Sequence, residues 1–241
     1  MNRTFIQLTI AYLLLALSYS QTGRAAVLVK DKMWPQNMVL NVVFLDGSAQ
    51  QIDLVKNIAP LWVENTSLKL RFISKIDSKS IDTHIRISFS SHTGSMLGDH
   101  GDYAGTTPTL LLNRLSQEQL APELAKRYVL HEFGHALGFE HEYRNPTWPF
   151  GNAPIQKHIE NCIPRMKQLG YLGQKATIKC REINQPLPSQ KINATIYDQH
   201  SIMNYPQVVV LEDNTEKLIL AKSELSALDK LAMERWYGLQ Q

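Results

Sequence analysis

The sequence predicts an α+β fold, and three observations carry that reading. The first half mixes β-branched apolar runs with segments of helical period. Residues 143–200 are rich in Pro, Asn, Gln and Lys and show few periodic apolar runs. The sixteen positions Ser223 to Gly238, "SELSALDKLAMERWYG", form an amphipathic helical pattern that closes the chain. The expected architecture therefore has strands and two long helices in the N-terminal half, then an irregular C-terminal half ending in a helix. With 241 residues, 44% hydrophobic and 20% charged, the chain can bury a core as one large domain or two small ones. A net charge of +3 with no stripe of Lys or Arg gives no reason to expect a nucleic-acid partner.

At the start, Asn2 and Arg3 precede an apolar run from Phe5 to Ser20 that is shorter than the ~20 residues a spanning helix needs. Ser18 and Ser20 occupy the −3 and −1 positions of a cut before Gln21. Residues 1–20 thus predict a cleaved secretory signal peptide, an extracytoplasmic location (secreted or periplasmic) and no stable membrane association afterwards. Residues 21–33 predict a short connector, and 34–241 the working domain, with one subdomain to about 141 and a second over 142–241. Cys162 and Cys180 are the two cysteines, and in an exported chain they predict one disulfide.

Element by element, "MVLNVVFLDG" predicts a strand stopped by Asp46-Gly47. "SAQQIDLVKNIAPLWVENTS" predicts a helix capped by Ser48 and shortened or kinked at Pro60. "LKLRFISK" and "THIRISFS" alternate as half-buried strands, and "TPTLLLNRL" is a further short strand. Between them "SSHTGSMLGDHGDYAG" predicts a loop. "SQEQLAPELAKRYVLHEFGHALG" predicts the second long helix, with Pro122 in its first turn and Gly138 just past its end. In 143–200 one short helix is expected around "IQKHIENCI". "VVVLEDNTEKLIL" predicts two short strands around a turn, and Ser223 is the expected cap of the closing helix.

The chemistry lies in "YVLHEFGHALGFEHEYRNP", residues 128–146. His131 and His135 are four residues apart, so on a helix they project about 40° apart on one face. Two imidazoles so placed can hold one zinc ion, and Glu132 beside them can take a proton from metal-bound water. If the helix continued, His141 would fall on another face; Gly138 can end the helix in the left-handed conformation and bring His141 back to the same metal. The extended pattern is far more specific than a bare HExxH, many of which are solvated helix faces. Downstream, "YDQHSIMNYP" places Met203 in a turn-like segment after the third histidine. The other histidines, His84, His92, His100, His158 and His200, lack ligand spacing.

His131 to Glu142, read as HExxHxxGFxHE, together with "SIMNY" at Ser201 to Tyr205, resembles the astacin-type branch of the metzincin zinc peptidases, bacterial members above all. The resemblance implies a metzincin zincin fold with a twisted mixed sheet. It implies one catalytic Zn2+ on His131, His135 and His141, with Glu132 as general base and then general acid. Tyr205 would approach the zinc and turn toward the oxyanion, Met203 would floor the metal site, and Glu142 would help fix the mature N-terminal region. Asn204 stands where the animal members have histidine. The implied activity is a monomeric zinc metalloendopeptidase acting on protein or peptide substrates, with the strand near "PTLLLN" pairing with substrate. Two rivals stand beside it. A matrixin-like metzincin would lack a zinc-proximal tyrosine such as Tyr205, and a zinc-stabilised binding protein without catalysis would be expected to lose Glu132.

Overall fold

A computed structural model describes residues 26–75, 77, 81–210 and 215–239. The leader predicted over 1–20 and residues 21–25 of the predicted connector lie outside the described residues. Among the described residues no helix is long and apolar enough to cross a membrane.

The main sheet is mixed, in the order β3-β2-β4-β6-β5. Within it β2 (Val39–Phe44) runs parallel to β3 (Lys69–Ile73) on one side and to β4 (Ile85–Ser88) on the other. Leu40, Val42 and Val43 of β2 are fully buried, as their β-branched run predicts. β6 (Leu110–Leu112) continues the parallel pairing from β4, and β5 (Thr93–Ser95) turns back antiparallel along β6. β5 falls where a loop is expected. "TGS" has no apolar pattern to announce a strand; its order comes from backbone pairing with β6. It also covers the outer side of β6, so the open edge of the sheet on this side belongs to β5 and not to the "PTLLLN" strand.

α1 (Ala49–Ile58) begins with a capping box in which Ser48 Oγ accepts from the Gln51 N–H and the Gln51 side chain accepts from the Ser48 N–H. It tightens into a 3-10 turn at Ala59–Trp62, where Pro60 interrupts the α-helical ladder. α2 (Pro122–Ala136) starts on Pro122 and buries Val129, Leu130, Phe133 and Ala136 against the sheet. Two buried indoles grip its carbonyls: Trp62 Nε1 donates to Leu130 O and Trp34 Nε1 to Ala136 O, both at 2.8 Å. Gly138, at φ +97°, turns the chain out of the helix, and a Cβ there would lie 3.0 Å from Lys32 O.

The second half holds more helix than its composition predicts. α3 (Ala153–Gln168) and α4 (Gln174–Asn184) form a hairpin joined by the Cys162–Cys180 disulfide. Its own small core is Ile155, Ile159 and Cys180, with Trp148, Cys162, Ile163 and Met166 packed around it. So few apolar positions, with Pro164 inside α3, explain why the pattern reads as irregular. β9 (Gln207–Val210) and β10 (Glu216–Ile219) form the expected hairpin. The closing helix α5 (Ala227–Tyr237) is capped by Ser226, one turn later than the expected Ser223, and ends at Gly238.

A three-stranded antiparallel sheet, in the order β7-β1-β8, joins the halves. β1 (Val27–Val29) lies in the segment predicted as a connector, since three apolar residues are too few to show a period. It pairs with β7 (Phe139–Glu140), directly after Gly138, and with β8 (Ile192–Ala194).

Candidate metal centre

α2 carries Glu132 and His135 to the floor of a cleft of about 670 Å³ with His131 behind them, and the chain after β7 delivers His141 to the same point. His141 Nε2 lies 3.3 Å from His131 Nε2 and 3.1 Å from His135 Nε2. Tetrahedral zinc with Zn–N bonds of about 2.05 Å separates its nitrogens by about 3.3 Å. The three histidines are the one such ligand group among the described residues.

The opposite ring nitrogens settle which lone pairs face inward. His131 Nδ1 lies 2.9 Å from Ile202 O, and His135 Nδ1 lies 2.7 Å from Phe139 O. A carbonyl only accepts, so both Nδ1 atoms carry the proton and both Nε2 atoms present a bare lone pair to the shared point. Burial and the neighbouring imidazoles push His131 and His141 well below the ordinary histidine range, and burial lowers His135. Three neutral imidazoles converging with bare nitrogens fit a zinc ion.

Glu132 lines the cleft beside them, and its Oε2 is buried with no hydrogen-bond partner among the described residues. Burial raises its pKa to about 8, against the opposing pull of Arg127 and Arg165. Tyr205 stands over the ligands, its ring centroid 4.4 Å from that of His141 and 5.3 Å from that of His131. Burial pushes its phenol well above the usual tyrosine range, so it is a protonated donor at neutral pH.

Beneath the ligands, Met203 is buried against α2; a Cβ on Gly134 would come within 2.3 Å of its Sδ. Glycine at that helix position is therefore what admits the methionine. The turn is pinned from both sides. Arg127 of α2 donates to Asn204 O at 2.7 Å, and Asp229 of α5 accepts from Ser201 Oγ at 2.7 Å and Ile202 N at 2.9 Å. Asn204 itself is buried, its Nδ2 donating to Asp198 O at 2.6 Å. Glu142 is fully buried, accepting from Asp198 N at 3.1 Å and weakly from Asn145 Nδ2, while its Oε1 has no partner among the described residues.

Residues without a motif complete the cleft. His92, Thr93, Ser95 and Met96 on and around β5 form one wall, and His158 and Arg165 of α3 form the other. His158 stacks on Tyr143 with centroids 4.4 Å apart and meets Gln207 Oε1 at 3.0 Å. Neither Tyr143 nor His158 has ligand spacing; the one signal for Tyr143 is its place two residues after His141. His200, nearest the methionine turn in sequence, is exposed and faces Gln199.

No protein-family model matches the chain. The chain is 25% identical over 137 residues to blastula protease 10 of Paracentrotus lividus, covering 54% of this chain and 21% of that protein. It thus spans about a fifth of the length of that curated relative. Two solved structures of myroilysin share its fold. One has a TM-score of 0.69 at 21% identity, covering 89% of this chain and all of that one; the other has 0.58 at 22%, covering 86% of each. The α+β zincin fold with its mixed sheet is the fold of this chain.

Proposed function

We infer that the chain is an exported, astacin-like zinc metalloendopeptidase that hydrolyses peptide bonds in protein or peptide substrates. The observation that carries this reading is the convergence of three neutral imidazoles beside a buried carboxylate with an unpartnered oxygen. The likeness to a relative named as a protease supports it. His131, His135 and His141 would hold zinc, which when bound supplies a Lewis acid and lowers the pKa of a coordinated water to about 7. With a dication beside it Glu132 would be ionised, and it would take the proton of the attacking water and pass it to the leaving amine. Tyr205, protonated at neutral pH, donates a hydrogen bond to the developing oxyanion. The free edge of β5 lies along the cleft, where an extended substrate can pair with it as an added strand.

The purified chain should digest casein or gelatin, and a chelator should stop it. Glu132→Gln should abolish digestion while zinc content stays at one per chain. Full activity in that variant would remove Glu132 from the role of base. Zinc uptake without digestion by the parent would favour a zinc-stabilised binding protein.

A further inference from the structure

His131 and His135 are fixed through their Nδ1 atoms by backbone carbonyls. His141 is not. Its Nδ1 lies 3.2 Å from the hydroxyl of Tyr143, whose ring stacks beside it with centroids 5.1 Å apart at 11°. The Glu140 carboxylate is 3.9 Å from the same nitrogen, beyond hydrogen-bond range, and is engaged by Arg144. The Tyr143 hydroxyl also lies 3.0 Å from Asn184 Oδ1, and Asn184 Nδ2 donates to Cys180 O at 2.8 Å. That second contact fixes the amide, so its oxygen faces the phenol and can only accept. The phenol must therefore give its own proton to Asn184, which leaves its oxygen lone pairs for His141 Nδ1–H.

We propose that Tyr143 and Asn184 are positioning residues for the third metal ligand, holding His141 with Nδ1 protonated and Nε2 turned to the metal. The inference rests on the zinc reading above. The chain of contacts runs His141, Tyr143, Asn184, then α4, which the disulfide ties to α3. The third ligand is thus oriented by the cleft wall, whereas the first two are oriented by the backbone beneath and behind them. A partner of this kind, bonded to the far nitrogen of a ligand histidine, is ordinarily worth 10–100-fold in metal affinity.

The test measures zinc dissociation constants by competition with a chromophoric chelator for the parent, Tyr143→Phe, Asn184→Leu and the double variant. Phenylalanine keeps the stacked ring and removes only the hydroxyl. Tyr143→Phe should weaken zinc by about tenfold or more. Asn184→Leu should weaken it less, and add nothing in the Tyr143→Phe background, because it acts through the hydroxyl. The metal-free variants should melt with the parent. A Tyr143→Phe affinity equal to the parent's overturns the proposal. So do additive losses in the double variant, or losses that follow metal-free stability across the set. If the parent itself takes up no stoichiometric zinc, the metal reading falls as well; if it does, only the role of Tyr143 and Asn184 is at stake.

Discussion

Glu132 is a carboxyl held where its charge is costly. Its folded pKa, about 8, lies above the ordinary 4.5, so the protonated form is the one that folding favours. Its contribution to stability is fully present below about 4.5 and is lost as pH rises through about 8. Glutamine cannot ionise, so in chelator-treated protein Glu132→Gln should melt close to the parent at about pH 5 and clearly above it at about pH 9. Thermal unfolding at the two pH values checks this, and an advantage that shrinks toward high pH would contradict it. The three histidines contribute equally to both proteins and cancel in the comparison. These four residues were legible because their spacing is itself geometric, and Met203 because it sits in a turn-like segment after the third histidine. Asn184 and His158 were not, since they reach the site through tertiary contacts from a helical hairpin whose existence the composition hides, and Tyr143, two residues after His141, carries no ligand spacing. The Asn204 side chain binds Asp198 O, so the residue preceding the tyrosine braces the turn.

At the scale of elements, the closing helix does two things at one carboxylate. Asp229 completes the capping box with Ser226 and at the same time accepts from Ser201 Oγ and Ile202 N under the metal centre. Asp229→Ala removes a cap and leaves buried donors without an acceptor, which together should cost about 3 kcal/mol. Urea unfolding measures it, and a loss below about 1 kcal/mol would show the cap to be incidental. The correct cap was present in the sequence. Ser226 has Asp229 three residues on, whereas Ser223 has Ser226 there, and only a carboxylate or amide at that place closes the box. β2 was readable from its apolar run, β4 from its alternation, and α2 from Pro122 in its first turn and Gly138 past its end. β1 and β5, three residues each, were not, because they are ordered by the backbone groups of neighbours far away in sequence. β5 then takes over the sheet edge that the sequence alone assigned to β6.

Across the whole molecule, the cleft has one wall built on the sheet and one built on a hairpin whose own core cluster is small, centred on Ile155, Ile159 and Cys180. The disulfide matters most for that second wall. Replacing Cys162 and Cys180 by serine should lower stability by about 3 kcal/mol in the chain-entropy view, seen as a lower urea midpoint. It should also weaken zinc, since Asn184 is one helical turn beyond Cys180; unchanged zinc affinity in the serine variant would mean that the wall keeps its shape unaided.

β1 bears on a different matter, the order in which the fold can be completed. Val27 pairs with Glu140 on one side and with Ala194 on the other. Both partners are synthesised long after it, and closing loops of that length comes late in folding. The first described strand is thus among the last to be seated. Until residues 139–140 and then 192–194 leave the ribosome, Val27–Val29 lacks both of the strands it pairs with.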